Sequence, residues 1–127
     1  MIRGIIAVLV CFFSMTTFAS VNEMPFGLTN TAQFACGKAV PTNDPKFCSS
    51  FKTVAICYCT AQGLPPMMCQ DMNMLYARLV SVFGSLQKAC EYQKETTTQD
   101  CMDNWKCYRS GGVDSQGRSC SSTQKAC

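Results

Sequence analysis

Cysteine content constrains the fold of this chain more than any other feature. The chain has 127 residues and 11 cysteines, and the role of those cysteines depends on whether their compartment is oxidising. The N-terminus, MIRGIIAVLVCFFSMTTFAS, places one positive charge before an apolar run that ends in small residues, which is typical of a cleaved secretory signal. The apolar run is about ten residues long, whereas a bilayer span needs roughly 20. We therefore predict that residues 1–19 are a signal peptide and that the mature, exported chain has no transmembrane span.

Loss of the signal removes Cys11 and leaves ten cysteines. An even number of cysteines in a short exported chain predicts a framework of up to five disulfides. The candidate disulfide residues are Cys36, Cys48, Cys57, Cys59, Cys69, Cys90, Cys101, Cys107, Cys120 and Cys127. Their complete pairing does not follow from the sequence.

Apolar residues in the middle of the chain recur at helical spacing. Asp44 and Pro45 are typical of a helix start, and Gly63 with the prolines after it is typical of an end. These signals predict a first helix over about 45–62. Its apolar face consists of Phe47, Phe51, Val54, Ala55 and Tyr58.

Two further helices are predicted after the proline corner. A long apolar stripe predicts one continuous second helix from about 66 to about 94, with Gly84 in its interior at a cost of about 1 kcal/mol. The stripe consists of Met68, Met72, Leu75, Leu79, Val82, Phe83, Leu86 and Cys90. Thr97 and Asp100 are spaced as in a capping box, which predicts a short third helix over about 98–110.

The predicted organisation is a single, mainly α domain: a small disulfide-stapled bundle of about three helices. Residues 20–44 are predicted to be an extended arm tethered at Cys36, and residues 45–112 the helical domain. Residues 113–127 are rich in Ser, Gly and Gln and would be disordered alone. Because cysteines lie within and at the end of this segment, we predict a tail pinned to the domain by disulfides.

The stretch CYCTAQGLPPMMC, residues 57–69, combines three cysteines with a proline corner. If the corner joins antiparallel helices, Cys59 and Cys69 face each other, and a bridge between them would add roughly 2–3 kcal/mol of stability. Cys57 points away from Cys59 and needs another partner, which we expect in the tail. A redox-active thiol is disfavoured because these cysteines lie near the electronegative end of their helix and the chain has no C-x-x-C motif.

The same region allows a metal hypothesis. Thioether sulfur atoms suit Cu(I), and four methionines surround Cys69: Met67, Met68, Met72 and Met74. Met68 and Met72 belong to the apolar stripe, however, and methionine is a common core filler. A structural zinc site would need reduced cysteines. We therefore predict no metal site and no cofactor, and Cu(I) remains only as an alternative ligand.

Composition argues against several functional classes. The chain has no histidine, which excludes Ser-His-Asp and Cys-His catalysis. Asp100 and Asp103 could be read as a paired acid site, but we interpret them as a helix-start charge and part of a solvated face. The few charges are scattered rather than clustered, which argues against nucleic-acid binding. No catalytic residue is predicted, and we do not expect an enzyme.

Trp105 is the only tryptophan of the chain. Tryptophan is enriched at protein interfaces, so Trp105 is a candidate contact with a partner protein. The alternative is that its ring packs against a disulfide inside the domain.

The leader "FFSMTTFAS" and the compact cysteine-rich part after it resemble the small periplasmic accessory subunits of the Legionella-type Dot/Icm (type IVB) secretion apparatus. That resemblance implies a periplasmic protein associated with the outer membrane through other protein subunits. No residue roles follow from it.

The sequence thus predicts a non-catalytic structural or interaction subunit of a cell-envelope assembly. The alternative is a secreted effector, an inhibitor, or a carrier of a small ligand such as a lipid or Cu(I), in which case the protein would be extracellular or periplasmic.

Overall fold

A computed structural model describes residues 36–127, and over this range the protein is mainly α-helical, as predicted. The five α-helices of this part are α1 (Phe47–Ala61), α2 (Pro66–Gln70), α3 (Met72–Phe83), α4 (Leu86–Tyr92) and α5 (Thr98–Ser110). A 3₁₀ turn, Cys120–Ser122, follows in the tail. The predicted signal peptide and residues 20–35 of the predicted arm lie outside the described residues.

Helix α1 begins two residues later than predicted. Asp44 does accept a hydrogen bond from a backbone N–H, that of Lys46 at 2.7 Å, but this bond closes a turn before the helix. The first helical residue is Phe47, and Pro45 lies in the turn. The side chain that was expected to cap the helix therefore caps the turn that leads into it.

The prediction of one long second helix was wrong, because three helices occupy the segment. Asp71 has extended backbone angles and caps α3 by accepting hydrogen bonds from the N–H groups of Asn73 and Met74. Gly84 ends α3 in the left-handed conformation, with φ of 84°. Ser85 then caps α4 by accepting from the N–H of Lys88. The apolar stripe continues across both breaks, which is why periodicity alone did not reveal them.

Helix α5 agrees with its predicted bounds. Thr97 caps it by accepting a hydrogen bond from the N–H of Asp100, and its hydroxyl donates to the Asp100 carboxylate at 2.8 Å. Gly111 follows the last helical residue with φ of 69°.

Five disulfides join the ten candidate cysteines. The pairs are Cys36–Cys57, Cys48–Cys127, Cys59–Cys69, Cys90–Cys101 and Cys107–Cys120. The bridge expected across the proline corner, Cys59–Cys69, is present. Cys57, however, pairs with the arm at Cys36 rather than with the tail. Multiple disulfides indicate an oxidising, exported environment.

The tail is fixed by hydrogen bonds as well as by disulfides. Asp114 is 4% exposed and accepts from the Thr42 hydroxyl at 2.7 Å, which links the tail to the segment before α1. The last residue, Cys127, donates its N–H to the carbonyl of Tyr108 on α5. The tail therefore contacts both the segment before α1 and the last turn of α5, although its composition alone is that of a disordered segment.

The core combines aromatic rings with disulfide sulfur. Phe51 on α1 makes an edge contact with Trp105 on α5, with ring centroids 5.1 Å apart, and the ring centroid of Tyr76 on α3 lies 5.5 Å from that of Trp105. Leu75 and Leu79 of α3 are buried in the same cluster. No helix among residues 36–127 is long and apolar enough to cross a bilayer.

Candidate functional site

Trp105 does not form an exposed anchor. It is 3% exposed and sits between aromatic rings of α1 and α3. Its predicted contact with a partner protein is therefore not available on the surface in this conformation. Trp105 instead forms part of the wall of a cavity.

This central cavity has a volume of about 600 Å³ and lies among the segment 37–42, α1, α3, the loop 93–97 and α5. A volume of this size falls in the range of pockets that bind small organic molecules, roughly 300–1,000 Å³. Its apolar wall includes Val40, Phe51, Val54, Leu75, Leu79 and Trp105. Polar groups border the rest, among them the side chains of Gln62, Glu95, Asp100 and Asn104.

Charged residues of both signs line the central cavity: Lys38, Lys94 and Arg118, and Glu95 and Asp100. Oε1 of Gln62 and Oε1 of Glu95 are buried and accept no hydrogen bond from the described residues. Helix α1 ends at Ala61 beside them with no basic residue in its last turn, so the negative end of its dipole is not neutralised by its own side chains. Tyr58, one turn before Gln62, has a raised pKa because of burial and, secondarily, the negative charge of Glu95.

A second candidate site lies on the surface near the proline corner. Met67 is 83% exposed, the largest exposed fraction among the large apolar side chains of residues 36–127. It borders a shallow depression, also lined by Lys52, Tyr108 and Arg109, of about 530 Å³. We call this surface the Met67 face. The guanidinium of Arg109 lies 3.7 Å from the centre of the Tyr76 ring, which holds the Arg109 side chain in place.

The four methionines of the metal hypothesis do not share one environment. Met72 is buried at 7% exposure, as expected for a core residue, whereas Met67 and Met74 are 83% and 50% exposed. The cysteine among them, Cys69, is fully buried and bonded to Cys59. Within residues 36–127 no group of three or more His, Cys, Asp or Glu side chains is arranged to hold a metal ion.

Asp103 differs from its prediction as part of a solvated face, because it is 2% exposed. Its carboxylate accepts hydrogen bonds from the N–H and the hydroxyl of Ser115 and from the amide of Gln99. Asp100 agrees with its prediction as a helix-start charge. Asp100 thus accepts from the hydroxyl of Thr97, the cap of α5, and Asp103 ties α5 to the tail.

Comparison of the chain with protein-family models, with curated proteins and with solved structures found no match. The resemblance to type IVB accessory subunits therefore stays a prediction.

Sequence reasoning missed Gln62, Glu95 and Asp114. Gln62 and Glu95 lie in a turn and a loop without a motif, and they reach the central cavity only because α1 and α5 pack together. A signal for Asp114 does exist, since the segment from Val113 to Arg118 has the composition of a tight turn that begins with Asp. The disorder-like composition of the whole tail obscured it.

Proposed function

We propose that the protein is a non-catalytic interaction subunit of a cell-envelope assembly, located in the periplasm and associated with the outer membrane through its partners. The observation that carries the proposal is the Met67 face. Met, Tyr and Arg are enriched where proteins bind each other, and here an exposed Met67 adjoins Tyr108 and Arg109.

The disulfide framework supports this role. Met67 lies three residues after Leu64 and two before Cys69, whose disulfide to Cys59 fixes the corner between α1 and α2. Cys127, which also lines the depression, is bonded to Cys48 of α1. Because disulfides tie both the corner beside Met67 and the end of the tail to α1, little conformational entropy would be lost when a partner binds this face.

The test is affinity purification of the tagged chain from native envelopes, with stoichiometry measured after cross-linking. We expect partner proteins at a fixed ratio with the unmodified chain and their loss with Met67→Asp. Val113→Asp is the matched control, because Val113 is also an exposed large apolar residue, at 44%, but does not line the depression. Equal recovery of partners with both variants, or recovery of the chain only as a free monomer, would contradict the proposal.

The central cavity favours a second candidate function, a carrier of a small ligand. Its apolar wall and polar border are typical of sites that enclose a lipid-like or other organic molecule. The test is native mass spectrometry of protein isolated without detergent, followed by solvent extraction. A carrier should release a stoichiometric organic molecule, and recovery of the ligand-free mass alone from several preparations would argue against it.

A further inference from the structure

We propose that the Cys48–Cys127 disulfide undergoes thiol–disulfide exchange with an external thiolate, which attacks Sγ of Cys127 and becomes covalently attached there. The ligand is therefore a thiol-bearing molecule, such as a peptide with a free cysteine. This inference goes beyond the interaction and carrier functions and depends on neither of them. It follows from the exposure of Cys127, the position of Cys48 at the start of α1 and the positive side chains beside the bridge.

Exposure separates this bridge from the other four. Cys127 is the one exposed cysteine among the ten of residues 36–127. In the bridge Cys36–Cys57 both cysteines are half-buried. Exchange requires that an attacking thiolate reach a disulfide sulfur atom, so Cys127 is the most accessible point of attack. The remaining three bridges have both cysteines at 3% exposure or less: Cys59–Cys69, Cys90–Cys101 and Cys107–Cys120.

The start of α1 favours Cys48 as the leaving group. Cys48 is the second residue of this 15-residue helix, and the first turn contains no acidic residue. The first N–H groups of a helix have no intrahelical acceptor, and the positive end of the helix dipole stabilises a thiolate there. The nearest carboxylate in the sequence, that of Asp44, accepts from the N–H of Lys46 in the turn before the helix. A stabilised thiolate leaves faster, which directs the exchange towards release of Cys48.

The half-buried bridge Cys36–Cys57 lacks this advantage. Cys57 lies near the C-terminal end of α1, which ends at Ala61 with no basic residue in its last turn. The negative end of a helix dipole destabilises a thiolate. The helix position that argues against a reactive thiol at Cys57 therefore argues for one at Cys48, at the opposite end of the same helix.

Two positive side chains line the depression to which Cys127 belongs. They are Lys52 and Arg109, and both are exposed. Lys52 also lies one helical turn after Cys48, on the same face of α1. The carboxylate of Asp71 lines the depression too, but it accepts hydrogen bonds from the first N–H groups of α3. Positive charge beside a disulfide raises the local concentration of an attacking thiolate.

The exchange conserves atoms and electrons. The external thiolate forms a bond with Sγ of Cys127, the Cys48–Cys127 bond breaks, and its electron pair stays on Sγ of Cys48. Cys48 leaves as a thiolate and can take a proton from water. One disulfide replaces another, so the step needs no oxidant. The Cys107–Cys120 bridge still holds the tail on α5, which keeps the captured molecule beside the Met67 face.

The experiment is incubation of the oxidised protein with an excess of reduced glutathione in the absence of denaturant. Free thiols are trapped with N-ethylmaleimide, and the modified cysteines are located by peptide mapping with mass spectrometry. We expect the first product to carry glutathione on Cys127 and the maleimide on Cys48. It should form about tenfold faster than any product of the Cys36–Cys57 bridge.

Two substitutions on α1 test the effect of the helix start. Ser49→Glu places a carboxylate in the first turn, next to Cys48, and should slow the exchange about threefold. Thr53→Glu is the matched control, because it makes the same change in net charge one turn later and should leave the rate nearly unchanged. Both residues are exposed, and each hydroxyl donates to a backbone carbonyl of the turn before it.

A first adduct on Cys48, Cys36 or Cys57 would overturn the inference, and so would the absence of any adduct without denaturant. Equal rates in Ser49→Glu and Thr53→Glu would also overturn it, because the start of α1 would then not favour the departure of Cys48. The interaction function of the Met67 face and the carrier function of the central cavity are tested separately and are affected by none of these results.

Discussion

At the scale of single residues, Asp114 shows how one carboxylate orders a segment whose composition resembles disorder. It accepts four hydrogen bonds, from the Thr42 hydroxyl, the N–H groups of Gln116 and Arg118, and the Arg118 guanidinium. Burial of the carboxylate raises its pKa, but the hydrogen bonds from Thr42, Arg118 and Gln116 outweigh that effect and lower the pKa to about 2. The charged form of Asp114 therefore stabilises the folded state.

The pKa of Asp114 gives a prediction for stability at acidic pH. Because its pKa is lower in the folded chain than in the unfolded chain, its contribution of about 2 kcal/mol is complete above pH 4 and is lost as the pH falls towards 2. We expect Asp114→Asn to be less stable than the unmodified chain by about this amount at pH 7, with the difference shrinking between pH 4 and 2. Urea denaturation at a series of pH values measures this difference in the free energy of unfolding. A constant difference for Asp114→Asn over this pH range would contradict the linkage.

Gly111 and Gly112 offer a matched pair of substitutions. Both have positive φ, 69° and 86°, so alanine is strained at either position. A Cβ at Gly111 would also lie 2.5 Å from the carbonyl oxygen of Gln124, whereas a Cβ at Gly112 would meet no atom within 4 Å. We expect Gly112→Ala to cost about 1 kcal/mol and Gly111→Ala clearly more, because the tail must move away from α5. Thermal denaturation compares the stabilities of the two variants. Equal losses of stability would show that the tail is not packed against Gly111.

At the scale of helices, a substitution at Gly84 distinguishes the continuous helix predicted from the sequence from the helix end seen in the structure. If one long helix ran through this position, Gly84→Ala would stabilise the protein by about 1 kcal/mol. In the structure Gly84 ends α3 with φ of 84°, so the same change should destabilise by about 1 kcal/mol. Chemical denaturation measures directly whether Gly84→Ala raises or lowers the free energy of unfolding. Ala77→Gly, in the interior of α3, is a control that should destabilise in either case.

The helices show what sequence can predict and what it cannot. Local signals with a direct physical cause, such as Thr97 as the cap of α5 and the proline corner before α2, correctly predicted where those two helices begin. The breaks at Asp71 and Gly84 were missed because the apolar stripe stays in phase across them, and a stripe reports burial rather than backbone continuity. The cavity was missed for a different reason: residues that line it, such as Gln62 and Glu95, are 33 residues apart in the sequence and reach it only through tertiary packing.

The same limit applies to the disulfides. The pair Cys59–Cys69 could be predicted because a short corner brings these two cysteines together. Attachment of the tail to the domain by disulfides could be predicted because the tail contains cysteines. The partner of Cys57 could not, since both the arm and the tail pass within reach of α1. A cysteine's partner depends on the path of the chain, which the spacing of cysteines does not specify.

At the scale of the whole molecule, the Cys48–Cys127 disulfide joins the first helix to the last residue and encloses three other disulfides. It closes a loop of 79 residues. The enclosed bridges shorten this loop in the unfolded chain, and its closure should still contribute about 4 kcal/mol through the entropy of the unfolded chain.

We expect the double variant Cys48→Ser, Cys127→Ser to lose about this much free energy of unfolding. It should keep its helical circular dichroism, because the hydrogen bonds of Asp114 and the Cys107–Cys120 bridge still hold most of the tail. Urea denaturation measures the loss, and hydrogen exchange locates it. A loss of 1 kcal/mol or less for the double variant would show that the unfolded chain is already confined by the other four bridges and that rigidity at the Met67 face does not depend on its covalent closure.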